Sequence, residues 1–238
     1  MNPHATNTPQ TSEHPALRVA FVLVIALFAL HMINAQQLQK GVSVQLATTS
    51  NAMAVPAADN QDAWVIAVTA DGSLYFGADP MTPEGLDHWM KTHPRNREAK
   101  LYVKADVRAQ FAYVKTVLGP ARSSYFEDVV LLASQPGSPT SGSIVPPRGI
   151  EVLLGAPASD GAIQVRLSGP AGGSTLTVNG RRLTSPDLES TLKGLVHNRA
   201  QIVQVEANDA VPFGDIMRVI DQARAAGATV ALPIFHSI

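Results

Sequence analysis

The chain of 238 residues contains no cysteine, which excludes thiol catalysis, disulfide bonds and thiolate metal sites. Aromatic residues make up only 5% and charged residues 16%, whereas apolar residues reach 45%, which is enough for one or two folded cores. The formal net charge is −1 and the basic residues are scattered, whereas nucleic-acid binding needs clustered Lys and Arg. We therefore expect no nucleic-acid partner.

The N-terminus combines a polar tail with an apolar run. Residues 1–17 are polar and contain three prolines, which predicts a disordered tail. After Arg18 an apolar stretch continues to Ala35, and at about 1.5 Å per residue it reaches roughly 26 Å against a hydrocarbon core of ~30 Å. With the residues up to Leu38 entering the interface, residues 18–38 are predicted to form one transmembrane helix, with the tail cytoplasmic.

A cleaved signal peptide is the alternative interpretation of the same run. Cleavage would follow Ala35, but Ile33 then occupies a position that favours a small residue. The C-terminal bulk of the chain is exported under either interpretation. His31 is the only titratable residue inside the run, and its place near the end of the helix favours an interfacial histidine over a proton carrier.

The exported part repeats itself when the chain is shifted by 102 residues. The match needs no gap from Leu74 onward, which indicates an internal duplication. The identical pairs are Leu74 with Leu176, Thr82 with Thr184, Leu86 with Leu188, Lys91 with Lys193, Asn96 with Asn198, Arg97 with Arg199, Val103 with Val205, Ala105 with Ala207, Phe111 with Phe213, Val117 with Val219, Ala121 with Ala223 and Arg122 with Arg224.

Each copy predicts the same series of elements. Alternating strands flank a turn, which in the first copy is Asp71-Gly72, where glycine supplies the positive φ that a tight hairpin needs. Thr82-Pro83 and Ser185-Pro186 are each typical of a capped helix start. A central strand, a second helix that Gly227 ends in the second copy, and a last strand follow. The predicted order is ββαβαβ, an α/β unit of two layers with the helices on one face of a small sheet.

These patterns divide the chain into six parts. The tail is 1–17, the transmembrane helix 18–38 and an extended juxtamembrane linker 39–60. The first module is 61–134 and the second 150–238, and the Gly, Ser and Pro content of 135–149 is typical of a linker. We expect two separate domains on a flexible tether, and exposed sheet edges favour pairing of the modules, either with each other or with those of another protomer.

Enzyme signatures are absent from the sequence. His88 and His93 are five residues apart, which does not place them on one helix face, and no pair of carboxylates accompanies them at ligand spacing. The glycine-rich stretch 169–173 has neither the lysine of a phosphate-binding loop nor a dinucleotide fingerprint, so a turn is favoured. Asp106 follows a predicted strand, and we expect it to cap the next helix. We predict no enzyme activity, no metal and no cofactor.

The order of these features resembles the ExbD/TolR family of biopolymer transport proteins. The resemblance covers residues 17–134 once and the exported unit again over 150–238. Phrases similar to the family's lie at Val68–Phe76 and Val103–Asp106, and the second copy echoes them at Leu176–Gly180 and Phe213–Ile216. The resemblance implies a single-span inner-membrane protein that works with a polytopic ExbB/TolQ-like protein and a TonB/TolA-like protein.

The resemblance also implies two sites. The family carries an apolar-x-apolar-x-Leu-Pro motif after the span that docks extended partner segments, and Val42, Val44 and Leu46 match it although Ala47 replaces the proline. A plain β-prone tether is the alternative. The family's proton-carrying carboxylate aligns with Val22, which cannot take up a proton, so the chain is expected to be a divergent or accessory member.

Two functions therefore remain open at this stage. The first is an inner-membrane component or accessory of a TonB/Tol-type complex that uses the proton-motive force. The second is a periplasmic binding module, exported by a signal peptide or tethered, that has no motor partner. Retention of residues 18–38 favours the first function, and their removal favours the second.

Overall fold

The structure is a computed structural model. It describes residues 42–93, 98–136, 146–155, 161–169, 174–197 and 201–234. The predictions for the tail 1–17 and the transmembrane helix 18–38 lie outside these residues. Among the residues that are described, none of the helices has the length and apolar content that a membrane crossing needs. All the described residues belong to one compact unit, Lys40–Ile238.

The first half of this unit begins with a short strand and a 3-10 turn, Pro56–Asp59, and continues with a sheet and two helices. Its elements are β1 Met53–Ala54, β2 Trp64–Val68, β3 Leu74–Phe76, β4 Asp79–Met81, α1 Pro83–Thr92, β5 Leu101–Ala105, α2 Phe111–Ser123 and β6 Asp128–Ala133.

The second half has the same number of strands and helices in the same order. Its elements are β7 Arg148–Leu154, β8 Ile163–Ser168, β9 Thr175–Val178, β10 Arg181–Leu183, α3 Ser185–Leu195, β11 Ile202–Ala207, α4 Phe213–Ala225 and β12 Thr229–Leu232.

The predicted elements are present, with small shifts and additions. Gly72 has φ +89° at the predicted hairpin, and the hydroxyl of Thr82 accepts a hydrogen bond from Gly85 N at the start of α1. In the second half the N-cap is Thr184, one residue before the predicted Ser185. The short strands β4 and β10 were not predicted, and neither were β1 and β7, so each half has the order ββββαβαβ.

The described strands form one mixed sheet. Its order is β10-β9-β8-β11-β12-β7-β6-β5-β2-β3-β4, and β1 pairs with β7. The junction of the halves is the antiparallel pair β6–β7, in which Asp128 lies opposite Leu153 and Ala133 opposite Arg148. The expectation of two separate domains was therefore wrong for the described residues, because β7 begins at Arg148, inside the predicted linker, and continues the sheet.

A second contact joins the halves through the loops that precede α2 and α4. Gln110 and Pro212 form an antiparallel bridge. The hydrogen bonds around it are reciprocal at the shift of 102 residues that the sequence shows: Phe111 N donates to Val211 O (2.9 Å), Phe213 N to Ala109 O (2.8 Å), Ala112 N to Asp209 O (3.0 Å) and Gly214 N to Val107 O (2.9 Å). Equal bonds in both directions are the mark of a two-fold contact.

Hydrophobic residues cover both faces of the sheet unequally. All four helices contribute to one large core with the strands of both halves, including Leu86, Phe111, Leu188 and Phe213. A smaller cluster on the other face of the first half contains Ala58, Val65, Tyr102, Val130 and Leu132. Alternate residues of β5 and β6 therefore serve the two cores, which explains why these strands are apolar on both faces.

Candidate functional site

The candidate docking residues Val42, Val44 and Leu46 lie in a segment that we call the strap, residues 42–52, which bends at Ser50 and Asn51. Their burial alternates along the chain, because Val42, Val44 and Leu46 are half-buried whereas Ser43 and Gln45 are exposed. Such alternation is that of a strand with one face packed against the protein.

Backbone hydrogen bonds attach one edge of the strap to the ends of β5 and β6. Val107 N donates to Gln45 O at 2.9 Å. Ser134 N donates to Ala47 O, and Thr49 N donates to Ser134 O, both at 2.9 Å. Thr48 forms a parallel bridge with Ser134. The strap is therefore held through the backbone groups of Gln45, Ala47 and Thr49.

In the part of the chain that the structure describes, the opposite edge of the strap is open. Successive residues of an extended chain direct their N–H and C=O groups to opposite sides, so the backbone groups of Val44, Leu46 and Thr48 face away from β5 and β6. Within the described residues, these backbone groups accept and donate no hydrogen bond. An edge of this kind is what an added strand from a partner requires.

Asp106 fixes the start of the strap. Its buried carboxylate accepts a hydrogen bond from Gln45 N at 3.0 Å and is held by the guanidinium of Arg108 through Nε at 2.8 Å and Nη2 at 2.9 Å. The hydrogen bonds from Arg108, together with that from Gln45, hold the pKa of Asp106 well below its usual range although burial opposes them. The expectation that Asp106 caps the next helix was wrong, because α2 begins without a side-chain cap and the carboxylate is used by the strap.

Leu46 connects the strap to the smaller hydrophobic cluster. Its side chain packs against the group that contains Val65, Tyr102 and Val130, on the face of the sheet away from the helices. Ala47 and Thr49 are buried, and the hydroxyl of Thr49 has no hydrogen-bond partner among the described residues.

The end of the strap binds the second half of the chain. Ser50 N and Asn51 N donate to the carboxylate of Asp221 on α4, at 3.0 and 2.9 Å. The side-chain amide of Asn51 donates to the carboxylate and to the carbonyl oxygen of Asp221, at 3.0 and 3.2 Å. Next along the chain, Met53 and Ala54 form β1 against β7. The strap thus bridges both halves of the sheet.

Several predictions about the site receive no structural test. Val22 and His31 lie outside the described residues. Asp106, Asn51 and Asp221 were not predicted as parts of the site, since their partners lie 61 and 170 residues away and no local pattern marks them. Within the described residues, no three His, Asp or Glu side chains come together as a metal site would require.

Comparison with known proteins agrees with the resemblance. The family described as biopolymer transport protein ExbD/TolR matches residues 6–136, which is more than half of the chain. A search of curated proteins and a search of solved structures each returned no match. The matched range includes the strap and the whole of the first half.

Proposed function

The chain belongs to the ExbD/TolR family of biopolymer transport proteins, and on this premise we propose that it is an inner-membrane component or accessory of a TonB/Tol-type complex that depends on the proton-motive force. Residues 18–38 anchor it as a single span, with the described part in the periplasm. Its partners are an ExbB/TolQ-like polytopic protein in the membrane and a TonB/TolA-like protein. The chain itself catalyses no reaction.

The open edge of the strap is the observation that carries this proposal. A partner segment that adds to Val44, Leu46 and Thr48 gains backbone hydrogen bonds without displacing any bond of the described residues. Because the other edge is bonded to Val107 and Ser134, docking does not require the strap to leave the sheet. The strap would begin a few residues after the span, so a docked segment would lie close to the membrane.

The sequence led us to expect that the two modules pair with each other or with another protomer. We propose that the second half provides this pairing within one chain. We attribute it to a duplication, supported by the shift of 102 residues and by the reciprocal bonds of Phe111 and Phe213. Self-association then takes place inside the chain, through β6–β7 and the two loops. The edge strands β4 and β10 remain as outer edges, and Pro80 and the pair Arg181-Arg182 protect them against further pairing.

Position 22 has a valine where the family has its proton-carrying carboxylate, so the chain itself lacks the proton-binding group at this position. Valine binds no proton, so in this proposal the ionisable group that couples to proton flow belongs to the polytopic partner. The chain then transmits or receives motion through its periplasmic part. A Val22→Asp variant is expected to give no gain in transport.

The experiment that tests the proposal is purification of the tagged full chain from native membranes in mild detergent, with intact mass and identification of the co-purifying proteins. We expect an uncleaved chain together with an ExbB/TolQ-like protein. A chain that starts near Gln36 in the soluble fraction, with no such partner, would overturn the proposal and leave a periplasmic binding module.

A proline substitution tests the strap itself. Val44→Pro removes an N–H on the open edge and no described hydrogen bond, so the chain should remain folded but lose the docked segment. Val44→Ala is the matched control, because it keeps the N–H. Photo-crosslinking from the exposed position of Ser43, read by mass spectrometry, should yield a TonB/TolA-like segment in the control and not in the proline variant. Equal cross-linking in both would exclude docking by strand addition.

A further inference from the structure

The sequence motif of the strap occurs a second time, in β7. Both stretches have three alternating apolar residues after a glycine and before a small residue: Gly41-Val-Ser-Val-Gln-Leu-Ala47 and Gly149-Ile-Glu-Val-Leu-Leu-Gly155. The connection to the next long strand is longer in the first half, where it contains β1 and the turn Pro56–Asp59. We therefore treat β7 as the second copy of the candidate docking motif.

One backbone edge of β7 is bonded to β6. Leu154 N donates to Glu127 O at 2.8 Å, and in the antiparallel register Val152 lies opposite Val129. Successive residues of a strand direct their backbone groups to opposite sides, so the pairs that exchange hydrogen bonds recur at every second residue. The backbone groups of Ile150, Val152 and Leu154 therefore face β6.

The other edge of β7 is bonded to the last strand of its own half. Gly155 N donates to Leu232 O on β12 at 2.9 Å, and the two strands are parallel. The strap makes a contact of the same kind, because Ala47 O accepts from Ser134 N directly after β6, and the bridge there is also parallel. In each copy, the residue that follows the leucine is thus bonded to the end of the last strand of its own half.

The remaining edge distinguishes the two copies. In β7 it is occupied by β6, whereas the backbone groups of Val44 and Leu46 in the strap have no hydrogen-bond partner within the described residues. The side chains differ as well, since Leu46 packs against the smaller cluster and Leu154 belongs to the large core. The correspondence is therefore one of backbone edges, and β6 on β7 is an example, within the molecule, of a strand added to this edge of the motif.

We propose that the strap takes up its partner segment as an antiparallel strand, in the register in which β6 lies on β7. The inference rests on the proposed docking at the strap. The segment then has apolar residues opposite Val42 and Val44, as β6 has opposite the corresponding residues of β7. Antiparallel pairing is also slightly more stable per residue than parallel pairing. A single chain takes up one segment, because β6 fills the corresponding edge of β7.

The probe is a synthetic peptide with the sequence of residues 127–133, followed by two lysines for solubility. It is added to the full chain in detergent, and hydrogen exchange of the Val44 and Leu46 amides reports whether it binds at the strap. A nitroxide at either end of the peptide reports its direction through the broadening of amide signals. We expect the N-terminal label to broaden Leu46 more than Val42, and the C-terminal label to do the reverse.

Two methylated peptides test the register. N-methylation at the position of Val129, whose backbone groups face β7, removes a hydrogen bond to the strap and should weaken binding about fivefold. N-methylation at the position of Val130, whose backbone groups face the other way, is the matched control and should leave the affinity unchanged. The titration should saturate at one peptide per chain.

Each contrary result has its own meaning. Stronger broadening of Val42 by the N-terminal label overturns the antiparallel direction, and a loss of affinity on methylation at Val130 instead of Val129 overturns the register. Saturation at two peptides per chain shows that β7 is not filled by β6. Unprotected Val44 and Leu46 amides overturn this inference as a whole, whereas the proposed docking is decided separately by cross-linking from Ser43.

Discussion

Asn51 and Asp221 lie 170 residues apart in the sequence and are in direct contact, because the amide N–H and the side-chain amide of Asn51 both donate to the carboxylate of Asp221, at 2.9 and 3.0 Å. The contact joins the strap, which follows the predicted span, to α4 in the second half. A force on the N-terminal segment would therefore reach both halves of the sheet, through Asp106 in one and Asp221 in the other.

Asp221→Asn should loosen the end of the strap. The variant replaces a charged acceptor by an amide, so the bonds from Ser50 N and Asn51 N weaken, and we expect a loss of about 1 kcal/mol in the free energy of unfolding. Hydrogen exchange of these two amides should become faster. Glu189→Gln, which removes a surface pair with Lys193, is the control and should cost under ~0.5 kcal/mol. Unchanged exchange at Ser50 and Asn51 would show that Asp221 does not hold the strap.

Asp106→Asn should release the start of the strap. The buried carboxylate binds Gln45 N and Arg108, and loss of hydrogen bonds to a charged group costs about 1.5–3 kcal/mol. Exchange of the Gln45 amide should rise while that of Phe111 stays slow. Slow exchange at Gln45 in the variant would contradict this assignment.

The same carboxylate gives the wild-type chain a pH dependence. The pKa of Asp106 is lowered in the folded state, chiefly by Arg108, so the folded state binds this proton less readily than the unfolded state. Its stabilisation is complete above the ordinary aspartate pKa of about 3.9 and is lost as the pH falls below that value. Denaturant unfolding at a series of pH values should show the loss in wild type and a smaller loss in Asp106→Asn.

The sequence predicted local features of the fold better than its long-range pairing. The capped helix start at Thr82-Pro83 is encoded in neighbouring residues, and the structure has it, with the Thr82 hydroxyl accepting a hydrogen bond from Gly85 N. The strand β7 was missed because Pro146, Pro147 and Gly149 give its start the composition of a linker, whereas its pairing with β6 depends on residues elsewhere. Val42, Val44 and Leu46 could be singled out because they match a family motif. Asp106 and Asp221 could not, because only the fold brings them to the strap and no local sequence pattern marks them.

Gly214→Ala should disturb the contact between the two loops. A Cβ at Gly214 would lie 3.1 Å from Val107 O and 3.2 Å from Val107 Cβ, closer than ordinary contacts, and Gly214 N also bonds to Val107 O. We expect a loss of about 1–2 kcal/mol in unfolding free energy, as overpacking usually gives. Gly194→Ala is the matched control in α3, where nothing lies within 4 Å, and it should stabilise by roughly 0.5–1 kcal/mol. Equal effects of the two substitutions would exclude a tight contact at Gly214.

Asp128→Asn should stabilise the chain at neutral pH. Burial and the neighbouring carboxylate of Glu151, across the junction of the halves, raise the pKa of Asp128. A raised pKa in the folded state means that stability falls as the pH rises from about 3.9 through the folded value. The variant removes this fall, and its gain over wild type should grow between pH 4 and pH 7 in denaturant unfolding. Asp62→Asn, at an exposed position, is the control. A gain that is the same at both pH values would contradict the role of the proton.

Tyr125→Gly should also stabilise the chain, through the backbone. Tyr125 follows α2 with φ +63° and is 86% exposed, whereas the corresponding residue after α4 is Gly227 with φ +86°. A side chain in this left-handed conformation costs about 1 kcal/mol, so glycine should raise the free energy of unfolding by about that amount. Tyr125→Ala removes the exposed ring but keeps the Cβ, and should give little gain. If alanine stabilised as much as glycine in the same denaturant titration, exposure of the ring and not the backbone conformation would be the cause.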